Sequence, residues 1–187
     1  MAELEDIERK SGPSEFGRWL YETRTEQKLM VGELADKAGT SWAQVYNLES
    51  GRSQNPQAAT RKKLTDALGK EPTAEVVKAT EESATVEDVG EFVDFDPHDE
   101  AGLPEEAGVY VFYDISDRPL YVGQSSDIRR RIMQSHVEKF WFRAPVVQSA
   151  AFVKIADEQL RKKIEKVMIK FMRTTAVLNK QHVERKA

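Results

Sequence analysis

The sequence predicts two domains of different class. Residues 1–72 form an all-α domain, and residues 103–187 form an α/β (α+β) domain with a small antiparallel central sheet flanked by helices. Residues 73–102 form an acidic linker between them. Three observations carry this reading. Apolar residues recur one helical turn apart between Ser14 and Gly69 but alternate from Gly108 onward. The stretch between has little periodicity. Charge divides at the same places: residues 1–72 carry a net of −1, residues 73–106 a net of −11 and residues 107–187 a net of +8.

The helical elements follow from the spacing of Phe16 with Leu20, Leu34 with Ala38, and Leu64 with Leu68. Ser14 is placed to cap the first helix. Gly39 ends a short one, and Thr40 or Ser41 caps the next. Gly51, Asn55 and Pro56 break the chain before a last helix near Ala58–Leu68. In the linker, Glu71-Pro72, Asp96-Pro97 and Gly102-Leu103-Pro104 signal turns, and only Val93 and Phe95 alternate like a short strand.

In the C-terminal part, Val109–Tyr113 reads as a buried strand, Asp117-Arg118-Pro119 as a turn and Leu120–Val122 as the returning strand. Ser125 or Ser126 caps a helix reaching about His136. Ala151–Ile155 is a third strand. A helix from Asp157 to about Arg173 carries Leu160, Ile164, Met168 and Phe171 on one stripe. The tail after Gln181 is polar.

Composition narrows the function. The absence of cysteine excludes disulfides, thiolate metal sites and cysteine nucleophiles, and suits a reducing, cytoplasmic setting. Three histidines, His98, His136 and His182, are too few for a multi-histidine zinc site. No apolar run is long enough to cross a membrane, and the acidic start does not read as a signal peptide. A basic C-terminal domain attracts polyanions such as nucleic acid.

Within that basic domain, Gly108-Val109-Tyr110 and Tyr121-Val122-Gly123 sit on neighbouring strands. Three arginines follow on a helix, Arg129, Arg130 and Arg131, then Glu165 on the long helix and Asn179 near the end. Over residues 103–181 this constellation resembles the GIY-YIG nuclease family, with isoleucine replaced by valine in both tripeptides. The ten intervening residues fall in the family's range, and the family arginine, eight residues after Gly123, corresponds to Arg131. The resemblance implies a metal-dependent DNA endonuclease using Tyr110, Tyr121, Arg131, Glu165 and Asn179 as catalytic residues, with Mg²⁺ (or Mn²⁺) held at Glu165. Ser135 stands where some members carry a histidine, and His136 follows it.

The residue types suit phosphodiester hydrolysis, which needs an activated water and a place for growing negative charge. Arginine offers a fork that matches phosphate oxygens. A lone carboxylate suits Mg²⁺, which keeps most of its waters. A phenol with an ordinary pKa near ~10 needs help to act as a base. Helical periodicity alone does not choose between Arg129 and Arg131. Each residue also has a structural alternative: the tyrosines as core aromatics, Arg131 as a surface charge, Glu165 as a partner for Arg161, Asn179 as a loop residue. Arg129 and His136 are further candidate DNA contacts.

From Gly32 to Gly51 the chain has the build of a helix-turn-helix, with Ala35 allowing close helix approach, Gly39 making the turn, and Val45 and Leu48 facing inward. Over residues 16–69 it resembles the Cro/repressor (XRE) type of DNA-binding domain. Arg24 and Glu49 stand at that family's buried ion-pair positions. The resemblance places Ser41, Trp42, Ala43, Gln44 and Asn47 at the major groove, where Gln44 and Asn47 suit adenine and Ala43 a thymine methyl. Arg52, Arg61, Lys62 and Lys63 are candidate phosphate contacts. The expected whole is a DNA endonuclease targeted by its helix-turn-helix; the alternative is a transcriptional regulator with an inactive nuclease-like domain. DNA is the expected partner, a homodimer is possible, and the linker acids are expected to compete for the basic C-terminal surface.

Overall fold

The computed structural model describes residues 12–172 and Leu178. Among these the chain is mixed α/β, with seven α-helices and one five-stranded antiparallel sheet. The helical part begins with α1 (Glu15–Glu26), capped by Ser14, whose hydroxyl accepts from the Gly17 N–H. Helix α2 (Val31–Ala38) ends at Gly39, which takes the left-handed conformation expected of a C-cap glycine. Ser41, not Thr40, caps α3 (Trp42–Ser50) by accepting from the Gln44 N–H. Helix α4 (Ala58–Leu68) closes the bundle. Phe16, Leu20, Leu34, Val45, Leu48 and Leu64 are fully buried where these helices meet. Beside this core the Arg24 guanidinium donates to both oxygens of Glu49 at 2.6 and 2.7 Å and to the Leu29 carbonyl at 2.6 Å.

The stretch expected as a linker is built into the fold. Helix α5 (Ala74–Ala84) is capped by Thr73, and its Ala, Glu and Lys residues favour helix. Thr80, fully buried, accepts the Phe16 N–H at 3.0 Å and donates to the Val76 carbonyl at 2.8 Å, tying α5 to α1. Strands β1 (Thr85–Val86) and β2 (Gly90–Phe95) follow, then a short 3-10 turn (Glu100–Gly102). The acidic composition masked this order because Glu81, Asp94 and Asp99 meet partners distant in sequence.

Strands β3 (Gly108–Tyr113) and β4 (Pro119–Ser125) form the expected hairpin. Helix α6 (Ile128–Ser135) is capped by Asp127, whose carboxylate accepts from the Arg130 N–H at 2.8 Å. Ser125 instead braces Asp127, accepting its N–H and donating to its carbonyl. Strand β5 (Ser149–Lys154) pairs on both sides, giving the order β1-β2-β5-β3-β4. Helix α7 (Glu158–Met172) lies against the sheet. The alternation in β3 sends Tyr110 and Phe112 to the face covered by α6 and Val109 and Val111 to the face covered by α7.

Candidate functional site

The two tripeptides lie side by side, with Tyr110 paired to Gly123 across the β3–β4 ladder. The glycine is required by the close approach of the neighbouring ring: a Cβ at Gly123 would lie 2.5 Å from Tyr110 Cζ and Oη. The Tyr110 and Tyr121 ring centroids are 6.1 Å apart, and His136 packs edge-on to Tyr121 at 4.8 Å. Tyr110 Oη and His136 Nε2 share a hydrogen bond of 2.7 Å, while His136 Nδ1 is buried without a partner among the described residues. Trp141 and Phe142 complete the aromatic wall.

Arg131 reaches this cluster from α6. It is exposed, donates to Ser135 Oγ at 3.2 Å and interacts with both phenol oxygens. Glu165, half-buried on α7, is near enough for its charge to be felt at Tyr121. The structure therefore brings Tyr110, Tyr121, Arg131 and Glu165 together, and adds His136. Asn179 lies outside the described residues, as does His182. Arg161 spends its guanidinium on the Ile155 and Ala156 carbonyls at 2.9 and 2.6 Å.

Electrostatics define what this cluster can do. Burial pushes the Tyr110 phenol well above its ordinary range, with Tyr121 adding to the shift and Arg131 opposing it. Burial also raises Tyr121, opposed by Arg131 and reinforced by Glu165. Burial, aided by Arg131 and Lys139, lowers His136 to about 4. At neutral pH the phenols are neutral donors and the imidazole is uncharged. Two neutral donors beside a guanidinium make a receptive place for an anionic oxygen. No group of three or more His, Asp or Glu among the described residues is placed to hold a metal. The donor set fits, at most, a hydrated hard cation on Glu165 that keeps most of its waters.

One expected DNA contact of this region is corrected. His136 is 3% exposed and turned into the aromatic cluster, so it cannot touch a phosphate from the surface. Arg129 is paired with Glu105 at 2.7 Å.

In the helix-turn-helix, Trp42 is 54% exposed and stacks on Tyr46 with ring centroids 4.8 Å apart. Ala43 is half-buried beside them. Of the other expected base readers, Ser41 is exposed, Gln44 half-buried and Asn47 buried. Ser41, Gln44 and Asn47 line a small cleft closed on its far side by Asp94, Asp96 and Gln148. Asn47 is only 6% exposed, so it is buried against the sheet and not presented to solvent. Ser41 Oγ donates to Asp96 at 3.4 Å, and Gln44 accepts from the Thr40 hydroxyl.

The expected phosphate contacts are paired as well. Arg52 meets Asp117 at 3.2 Å, Arg61 meets Glu81 at 2.8 Å, Lys62 meets Asp66 at 2.8 Å and Lys63 meets Asp99 at 2.8 Å. In two of these pairs the acid, Glu81 or Asp99, comes from the acidic stretch after α4, and Asp117 comes from the β3–β4 turn. The acidic stretch thus supplies carboxylates to both sides, Glu81 and Asp99 to the helical region and Glu105 to Arg129 of the basic C-terminal part.

Similarity to a known protein bears on the helix-turn-helix. The chain is 43% identical over 53 residues to the HTH-type transcriptional repressor RghR of Bacillus subtilis (strain 168), covering 28% of this chain and 39% of that protein. The chain carries a helix-turn-helix. It spans less than half the length of the curated relative it matches. No protein-family model matches. No described helix is long and apolar enough to cross a membrane.

Proposed function

We propose that this protein is a DNA-binding transcriptional regulator of the helix-turn-helix type. One observation carries the reading: a helix-turn-helix locked by the buried Arg24–Glu49 pair, in a chain similar to a named HTH-type repressor. In this reading the second helix enters the major groove, with Trp42 and Ala43 already at the surface and Gln44 and Asn47 joining them when the cleft opens. Selection from a random-sequence duplex pool with the full chain tests it. Enrichment of a common motif, lost in Trp42→Ala, is the expected result; recovery of an unenriched pool would count against it.

A second reading is favoured by the convergence of Tyr110, Tyr121, Arg131 and Glu165 in one place. In it the C-terminal region is a GIY-YIG-type endonuclease. Arg131 binds a non-bridging phosphate oxygen, and the neutral phenols donate to the charge that builds as water attacks. Glu165 would hold Mg²⁺, which when bound supplies an acidified water and neutralises charge. Plasmid nicking in the presence of Mg²⁺ separates the readings. Cleavage by the intact chain that disappears in Glu165→Ala and Arg131→Ala supports the nuclease; an intact chain that leaves the plasmid supercoiled favours the regulator alone.

A further inference from the structure

We propose that the loop between α3 and α4 is a binding site for a DNA backbone phosphate, and that strand β2 now holds it shut by presenting a carboxylate in the phosphate's place. The inference rests on the DNA-binding reading above.

The central contact is between Asp94 and two consecutive loop amides. Its carboxylate accepts the Gln54 N–H at 2.7 Å and the Asn55 N–H at 2.9 Å. Two successive main-chain N–H groups aimed at one anion form the type of concavity that binds phosphate elsewhere. The strand is fastened at the same point by main-chain bonds. The Asp94 N–H donates to the Asn55 carbonyl at 2.8 Å, and the Gln57 N–H donates to the Asp94 carbonyl at 3.2 Å. The Asn55 side chain donates to Glu91 and to the Phe92 carbonyl.

Acids on both sides extend the imitation. Asp117 takes Arg52, Asp99 takes Lys63, and Asp96 accepts from Ser41. These are cations and a hydroxyl that a helix-turn-helix would turn toward a duplex. A row of carboxylates over the loop and the start of α3 occupies the space of a charged backbone. The Asn47 amide is buried in the cleft beneath, 6% exposed. It reaches another polar surface only when the cleft opens. The occupant the site fits is therefore a phosphodiester strand whose bases face α3. DNA and strand β2 compete for one surface, so the apparent affinity is the intrinsic affinity reduced by the open fraction.

The test uses the full chain and a fluorescein-labelled pool of short random-sequence duplexes, read by anisotropy. Amide hydrogen exchange is followed at Gln54 and Asn55, with Leu20 and Leu64 as reporters of the intact helical core. Two variants are compared with the wild type: Asp94→Asn, and the triple change Asp96→Asn, Asp99→Asn and Asp117→Asn. Faster exchange at Gln54 and Asn55 with an unchanged core, and DNA binding at least about tenfold tighter, is the expected result. Should Asp94→Asn loosen Leu20 and Leu64, the triple variant decides. Equal binding by wild type and opened variants overturns the inhibitory role while leaving DNA binding intact. Amides that stay protected in both variants overturn it too, because the acids then do not hold the contact. Opened amides with no DNA bound by any form locate the failure in the DNA-binding reading itself.

Discussion

Around the α3–α4 loop, Arg52, Arg61, Lys62 and Lys63 are each matched by a carboxylate, whereas beside Tyr110 the Arg131 guanidinium faces phenols that stay neutral. The first region has spent its charge internally. The second keeps a cation and neutral donors directed at a shared point. Yet it is the first that carries the helix-turn-helix, and the similarity to an HTH-type repressor points to that kind of domain. Sequence-level advertisement of DNA contact and actual presentation of it are therefore separable properties. A basic residue paired with an acid of its own chain must exchange that partner before it can meet a phosphate.

The sharpest test of this contrast is to remove one cation from each region. Arg24 is nearly buried and its partner Glu49 is more so, with side chains 10% and 7% exposed. Arg24→Ala leaves a buried carboxylate without its counter-ion and is expected to cost about 3–5 kcal/mol. Arg131→Ala removes an exposed side chain and is expected to change stability by less than about 1 kcal/mol. Urea unfolding of both variants measures this, and similar losses in the two would erase the distinction.

Buried titrating groups extend the comparison to pH. Burial raises Asp94 from its ordinary value to about 6, against the loop N–H groups that oppose the shift. His136 in the aromatic cluster is lowered to about 4. The two act with opposite sign. Asp94 binds its proton more readily in the folded state, so its contribution is full at low pH and is lost as pH rises through about 6. His136 resists protonation in the folded state, so its contribution is full at neutral pH and is lost as pH falls toward about 4. Each amounts to ~3 kcal/mol at most. Relative to wild type, Asp94→Asn is expected to lose stability on acidification from neutral pH, and His136→Gln to gain it. Chemical denaturation across that window reads the sign; parallel curves for the two variants would show that neither group is perturbed as argued.

Much of the molecule was legible because its signals are local. The caps at Ser14 and Ser41, the left-handed turn at Gly39 and the alternation in β3 and β4 each depend on a few neighbouring residues. Even the gathering of Tyr110, Tyr121 and Arg131 follows from a hairpin and the helix after it. The acidic stretch was harder to read. Helix α5 was visible only as Thr73 before a run of good helix formers, a signal outweighed by charge. Asp94 meets Asn55 across thirty-nine positions, and no local pattern encodes that contact. The burial of His136 was hidden for a similar reason. Its ring is enclosed by Trp141 and Phe142 from the loop ahead and by Tyr121 from the strand behind, and only their joint packing excludes water.

The geometry of the tyrosine cluster can be tested through Gly123. An added methyl would meet Tyr110, which is itself fully buried and cannot swing aside. Gly123→Ala is expected to cost about 1–3 kcal/mol, the usual penalty of overpacking, and to disturb the Tyr110–His136 hydrogen bond. The His136 ring resonances report the second effect. An unchanged imidazole signal with unchanged stability would mean that the rings are less tightly set than the packing requires.

The smallest effect is expected at Thr80, and it asks whether the acidic stretch belongs to the helical body at all. Its hydroxyl satisfies the Phe16 N–H at the start of α1, one of the donors that a helix cannot pair within itself. Thr80→Val keeps the shape and removes the acceptor, leaving that N–H buried and unpaired at a cost of about 1–2 kcal/mol. If α5 is part of the folded unit, unfolding stays a single transition and merely shifts to lower denaturant. A separate early transition for α5, with the helical core unaffected, would instead make it an appendage. It would then remove the platform from which β2 reaches the α3–α4 loop.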